Sequence, residues 1–301
     1  MEITDNIRPV SGATAEEPTD GEVRESVADA PDTAPDTAPD SSRSLYAVGD
    51  IHGYLAELDA ALHAAGLTDP DGGWTGGDAR VWFLGDFTDR GPDGIGVIDR
   101  IRDLAERAAA ADGEVTALLG NHELLLLGTH IFGEQAVPIT YPERTFHMVW
   151  TLNGGRPSDL DRLTDEHTAW LRQLDVVALA GDHLLMHSDT TSYLSYGDSV
   201  DEINAAVRAV LNGEDIEDWW LCFRRLTSRH EFRDDPGEEN AQRMLAALGG
   251  RQIVHGHSTI PNQLGIDPAT ITGPHGYAGG RALAIDAGIY QGGPCLVVRL
   301  A

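Results

Sequence analysis

Leu45-Tyr46-Ala47-Val48-Gly49-Asp50-Ile51-His52-Gly53 sets the pattern by which the rest of the chain can be read. Four apolar residues in a row make a buried strand, and Gly49-Asp50 ends it. Leu55, Leu58, Ala61, Leu62 and Ala65 then recur at helical spacing until Gly66 stops the helix. The unit repeats. Val81-Trp82-Phe83-Leu84 is a second strand ending at Gly85-Asp86, followed by a helix marked by Ile95, Ile98, Ile101 and Ala105. Val115-Thr116-Ala117-Leu118-Leu119 is a third strand, ending at Gly120-Asn121. A β-α-β-α-β series with polar residues at the carboxyl end of each strand predicts an α/β fold with its site along that edge.

Downstream, Val176-Val177-Ala178-Leu179-Ala180 and His183-Leu184-Leu185-Met186-His187 flank Gly181-Asp182 as a hairpin. Ser199 with Glu202 reads as a capping box, and Asp235-Pro236-Gly237-Glu238 as another, whose helix ends near Gly249-Gly250. Gln252-Ile253-Val254-His255, Ala282-Leu283-Ala284-Ile285 and Leu296-Val297-Val298-Arg299-Leu300 are further strands. Thr129 to Pro157 has no clear period and reads as an insertion or lid. The expectation is a mixed α/β sandwich in one domain, residues 44–301.

Residues 1–43 read as an acidic, disordered tail. They contain Pro31-Asp32-Thr33-Ala34-Pro35-Asp36-Thr37-Ala38-Pro39-Asp40, eleven acids and three arginines, and little to bury. The whole chain carries 49 acids against 21 basic residues, all arginine, for a net charge of −28. Such a charge repels nucleic-acid backbones, although bound cations would invert the potential locally. No run of eighteen apolar residues is present to span a membrane, and the first thirty residues hold no apolar leader. Cys222 and Cys295 read as buried thiols. A cytoplasmic protein is the expectation.

Each motif taken alone is modest. In Gly49-Asp50-Ile51-His52-Gly53, a carboxylate and an imidazole two residues apart can reach one cation, but Asp-x-His is also a common turn. In Gly85-Asp86-Phe87-Thr88-Asp89-Arg90-Gly91, Asp86 could bridge two metals, Asp89 could orient an imidazole and Arg90 could hold phosphate oxygens with its planar fork. Gly120-Asn121-His122-Glu123 offers a neutral oxygen ligand beside a proton donor. His187 and His255-Gly256-His257-Ser258 close two later strands with further imidazoles.

Together and in this order, the motifs resemble those of the calcineurin-like metallophosphoesterases, and within them the phosphoprotein phosphatases. That family's G-D-x-H-G, G-D-x-x-D-R-G and G-N-H-E signatures match here in full, and the likeness extends over roughly Leu45 to Leu300. The resemblance implies a β-sandwich flanked by helices in four layers, α/β/β/α, and two divalent ions, Mn2+ with Fe or Zn as alternatives. One ion would sit on Asp50, His52 and Asp86; the other would sit on Asp86, Asn121, His187 and His257. It further implies phosphate-ester hydrolysis by direct attack of a hydroxide shared between the ions. His122, paired with Asp89, would be the proton donor, and Arg90 would clamp phosphate with Asn121 beside it. The family's second phosphate-binding arginine falls on Trp219-Trp220-Leu221-Cys222-Phe223-Arg224-Arg225-Leu226, at Arg224 with Arg225 in reserve. The substrate expected is a phosphoprotein, as for a serine/threonine phosphatase, or a small phosphate ester; dinucleoside polyphosphate hydrolases share the motifs. One departure is His187-Ser188-Asp189, where many members have His-Gly-Gly or His-Ala-Gly, which places an extra acid near the site. His255 answers to neither signature and either contacts substrate or supports the ligands from behind.

Overall fold

The structure, a computed structural model, describes residues 43–301. The acidic stretch expected as a tail lies outside the described residues except for Arg43, whose Nε donates to Asp78 O at 2.6 Å.

Strand β1 (Leu45–Val48) leads through α1 (Leu55–Ala64) to β2 (Arg80–Phe83), then through α2 (Gly94–Ala109) to β3 (Glu114–Ala117). The two helical crossovers make these strands parallel. Helices α3 (Asn121–Phe132), α4 (Phe146–Leu152), α5 (Pro157–Arg162) and α6 (Asp165–Leu171) follow, then the antiparallel hairpin β4 (Val177–Ala180) and β5 (His183–Met186). Helices α7 (Val200–Asn212), α8 (Ile216–Leu226) and α9 (Gly237–Leu248) precede β6 (Gln252–His255) and α10 (Ile260–Leu264). Strands β7 (His275–Tyr277), β8 (Ala282–Ala284) and β9 (Val297–Leu300) complete the fold. The strands form a four-stranded sheet, β3-β2-β1-β9, and a five-stranded sheet, β4-β5-β6-β8-β7.

Strand alternation decides the layering. Ala47, Trp82, Leu84 and Leu118 of the first sheet pack against Ala178, Ala180, Leu185 and Val254 of the second. Their neighbours along the strands, Val48, Val81 and Phe83 on one sheet and Leu184, Met186 and Ile253 on the other, join the larger core with the apolar faces of the helices. The result is the expected sandwich flanked by helices. Register then positions the site. Val48 pairs with Phe83 and Phe83 with Ala117, so Asp50, Asp86 and Asn121 leave one edge of the first sheet. Met186 pairs with His255 in parallel, so His187 and His257 leave the matching edge of the second.

Three local readings need correction. Ser199 caps α7 by accepting from Glu202 N, but the Glu202 carboxylate turns to Asp198 N rather than closing the box. Asp235 does not cap α9: Pro236 stands at that position, with no side-chain bond. Thr129–Pro157, read as an insertion or lid without a period, contains helix α4. Phe146 and Trp150 are buried, and Phe146 packs on Phe132 and Trp220 at ring distances of 5.6 and 5.5 Å. Two turns of helix, with Met148 and Leu152 left exposed, are too short to display a period. Among the described residues no helix is long and apolar enough to cross a membrane.

Candidate metal centre and its acid

The site is built on unusual backbone. Among the described residues, nine non-glycine residues have positive φ, and five of them, His52, Asp86, Asp89, Arg90 and His257, are expected site residues. The turns after β1 and β2 hold one another in that conformation. Ile51 N and His52 N both donate to Asp86 O, Gly53 N donates to Phe87 O, and Gly91 N donates to His52 O. Glu123 completes the scaffold from α3. Its fully buried carboxylate accepts from the backbone N–H groups of Asp86, Phe87, Thr88 and Gly120 at 2.8–3.1 Å, and from Thr88 Oγ1 at 3.1 Å. Burial pushes its pKa up to about 7, with a further push from Asp86; His122 and the amide donors pull the other way. Gly256 must lack a side chain, because a Cβ there would overlap Asp50 Oδ1.

Asp86 stands at the centre. Its Oδ2 lies 3.6 Å from His52 Nε2 and 4.0 Å from His122 Nε2, and its Oδ1 lies 3.2 Å from His187 Nε2. Asp50 Oδ2 is 3.9 Å from His52 Nε2, and both Asp50 oxygens accept from His257 N. Three imidazoles are oriented by backbone carbonyls: His52 Nδ1–H donates to Thr88 O, His187 Nδ1–H to Leu84 O, and His257 Nε2–H to Thr227 O. Each ring is left with one lone pair for the site. Donor atoms of His52, Asp86 and His122, and again of Asp86, His187 and His257, lie within 4.8 Å of one another, so either group could hold a metal ion.

The chemistry of this donor set fits cations. With its proton committed to Leu84 O, His187 Nε2 faces Asn121 Oδ1 at 2.9 Å, lone pair against lone pair. Asp286, beside Asp50, has a buried Oδ2 with no hydrogen-bond partner. Burial drives Asp286 up to about 6, and burial followed by the charges of Asp286 and Asp86 drives Asp50 well above the carboxylate range. Burial also opposes charge on Asp86, yet the imidazoles of His187, His122, His52 and His257 outweigh it and hold Asp86 well below that range. The imidazoles of His52, His187 and His257 are themselves held down, by burial first and, for His52, by Arg90 next. Arg90 donates from Nη1 to His52 Nε2 at 2.7 Å and from Nη2 to His122 Nε2 at 2.9 Å, and stacks 4.0 Å over Tyr290.

The structure thus gathers Asp50, His52, Asp86, Asn121, His187 and His257 with Arg90, His122 and Asp89. His122 Nδ1–H donates to Asp89 Oδ2 at 2.7 Å. Arg224 is not brought to the donor groups: it lies on the exposed face of α8, and Arg225 lies over the Tyr196 ring at 5.0 Å. The arginine whose charge reaches both His187 and His257 is Arg229, on the loop after α8. Helix α8 runs on to Leu226, and the loop beyond it meets His257 at Thr227 O. Asp159 was missed outright. It is buried in α5 and accepts from Asp89 N and Gly94 N, a long-range contact without a sequence signal. Asp189 is buried too. Ser258 Oγ and His230 N donate to it, so it ties three loops together. His255 is fully buried, donating from Nδ1 to Gly256 O at 2.8 Å and accepting at Nε2 from Tyr277 Oη at 2.7 Å.

Sandwich and site together define an enzyme of the metallophosphoesterase hydrolase class. Residues 44–261 match the calcineurin-like phosphoesterase family, and the chain belongs to it. It is 37% identical to Shewanella-like protein phosphatase 2 of Arabidopsis thaliana over 81 residues, 27% of this chain and 21% of that one. It is 29% identical to a symmetrical bis(5'-nucleosyl)-tetraphosphatase of Janthinobacterium sp. (strain Marseille) over 178 residues, 59% of this chain and 53% of that one. The chain therefore spans about a fifth to about half of these relatives' length. A solved cold-active protein tyrosine phosphatase superposes with a TM-score of 0.65 at 23% identity, covering 86% of this chain and 73% of that one, a likeness of fold.

Proposed function

We propose that the chain is a metal-dependent phosphomonoesterase and, within that class, a cytoplasmic protein serine/threonine phosphatase whose catalytic domain is residues 44–301. The observation that carries the reading is the gathering of His52, His187 and His257 around Asp86, with Asp50 against His52 and the Asp89–His122 dyad alongside. Asp50, His52 and Asp86 would hold one divalent ion, and Asp86, Asn121, His187 and His257 the other. Oxygen and nitrogen donors without thiolate suit Mn2+, with Fe or Zn as alternatives. Two such cations, when bound, would bring the pKa of a water towards neutrality and offset phosphate charge. His122, held on Asp89 through Nδ1, accepts from Arg90 at Nε2; once substrate draws that guanidinium away and Nε2 is protonated, it delivers the proton to the leaving oxygen. Arg90 binds phosphate oxygens with its planar fork, and Arg229 takes the place first expected of Arg224.

A second reading, hydrolysis of a bis(5'-nucleosyl) tetraphosphate, draws support from the longer though less identical match to the tetraphosphatase, 178 residues at 29% against 81 at 37%. One experiment separates them. The protein, dialysed and loaded with Mn2+, is assayed on phosphoserine and phosphothreonine peptides, sugar phosphates and a bis(5'-nucleosyl) tetraphosphate, with Asp86→Asn alongside. Turnover highest on the peptides, with two metals per chain lost in Asp86→Asn, is the expected result. Preference for the tetraphosphate selects the second reading, and inert, metal-free protein after Mn2+ addition refutes both.

A further inference from the structure

Asp89 makes two side-chain hydrogen bonds, to two different helices. Its Oδ2 accepts from His122 Nδ1 on α3, and its Oδ1 accepts from Trp150 Nε1 on α4, each at 2.7 Å. All three side chains are buried, none more than 2% exposed. A buried indole N–H ordinarily finds some acceptor. Here the acceptor is a carboxylate whose other oxygen is already engaged on the site's imidazole.

Trp150 is itself held in place. Gly155 N donates to Trp150 O at 2.9 Å, and Gly155 lies flat against the indole, where a Cβ would overlap the ring. The same stretch grips the residue next to Asp89: Arg90 N donates to Gly154 O at 2.8 Å and Arg90 Nε to Asn153 O at 3.4 Å. From below, Asp159 Oδ2 accepts from Asp89 N at 3.0 Å. The left-handed Asp89-Arg90 pair (φ 68° and 64°) is thus pinned by α4, its following turn and α5. The one freedom left to the Asp89 carboxylate is rotation of its terminal torsion, which would tilt or exchange its oxygens. The indole N–H removes that freedom.

We propose that Trp150 is a positioning residue for proton transfer: its N–H fixes one oxygen of Asp89, so that the other stays on His122 Nδ1 and the imidazole keeps Nε2 aimed at the leaving group. The inference rests on His122 being the proton donor. A role confined to packing would need only the ring.

Trp150→Phe removes the donor and keeps an aromatic ring. β-(3-Benzothienyl)alanine at position 150, with sulfur in place of N–H, does so at nearly unchanged volume and serves if the phenylalanine variant does not fold. Each is compared, Mn2+-loaded, with wild type, Asp89→Asn, His122→Asn and the double variant with Asp89→Asn. On phenyl phosphate, a poor leaving group, loss of the N–H should lower kcat about 5- to 50-fold, part of the 10²–10⁴ a general acid contributes. On p-nitrophenyl phosphate, whose leaving group needs little protonation, kcat should stay near wild type. Metal content should be unchanged, and the double variant should be no slower on phenyl phosphate than Asp89→Asn alone. In metal-free protein, the downfield imidazole N–H proton identified by its loss in His122→Asn should shift. Equal impairment on both substrates, an additive loss in the double variant, lost metal or an unmoved resonance would overturn the role of Trp150. Asp89→Asn would still show the leaving-group dependence in that case. If Asp89→Asn and His122→Asn are themselves impaired equally on both substrates, the proton-donor reading fails and this proposal with it.

Discussion

Replacing Glu123 with glutamine removes one charge and one acceptor from a fully buried side chain while barely changing its shape. The carboxylate takes five hydrogen bonds, and its two oxygens divide them. Oε2 serves Asp86 N and Gly120 N; Oε1 serves Phe87 N, Thr88 N and Thr88 Oγ1. An amide must turn its NH2 to one of these sets. Whichever way it turns, two backbone N–H groups meet a donor, since only the Thr88 hydroxyl can rotate to adapt. A buried N–H without an acceptor costs about 1–3 kcal/mol, so the substitution should cost about 2–6 kcal/mol. That is a large share of the roughly 5–15 kcal/mol that stabilises a typical domain. The damage falls on the turn that holds Asp86 at φ 55°, so metal should be lost as well. Urea unfolding of metal-free protein reads the first effect as a lower midpoint at unchanged slope, and elemental analysis reads the second. A midpoint and metal content equal to wild type would show that this cradle of amides does not hold the turn, and the account of how α3 organises the site would fail.

Two further outcomes are expected. Arg229→Ala should lower kcat/KM on a phosphate ester about 10- to 100-fold, as for a lost charged hydrogen bond, while Arg224→Ala stays near wild type; steady-state kinetics showing the reverse would return the clamp to α8. His255 has its pKa lowered, by burial first, so its unfolded form takes up a proton below pH 6.5 that the folded form refuses. Stability linked to His255 is therefore present above pH 6.5 and lost below it, by up to about 1.4 kcal/mol at pH 5.5. The advantage of wild type over His255→Gln in urea unfolding should shrink accordingly between pH 7.5 and 5.5, and a constant difference would contradict a buried neutral His255.

Much of the molecule was legible before any coordinates. The first three strands fall within a residue or two of their expected places and their helices contain the expected apolar positions, because a buried parallel strand and an amphipathic helix are written locally, in runs and periods. The polar motifs could be located for the same reason, since each begins where a strand runs out. Arg224 shows the limit. An arginine in a helix and one in the loop beyond differ little as letters, and which of them can approach the site depends on where α8 stops and how it packs. Thr129–Pro157 shows it again, for the burial of Phe146 and Trp150 is set by partners far along the chain, Trp220 and Asp89.

What the sequence determined on its own is the succession of strands and helices, the strand ends at which Asp50, Asp86, Asn121, His187 and His257 stand, and through the family motifs the class of chemistry. Tertiary structure decided which groups face one another. It paired the edges of two sheets so that Asp86 meets imidazoles from both, placed Glu123 beneath the turn after β2, and set Trp150 and Asp159 against Asp89 and the loop of Arg229 beside His187 and His257. Those contacts join residues 28 to 101 positions apart. Local propensity does not encode them; they follow from register, layer packing and the need of each buried polar atom for a partner.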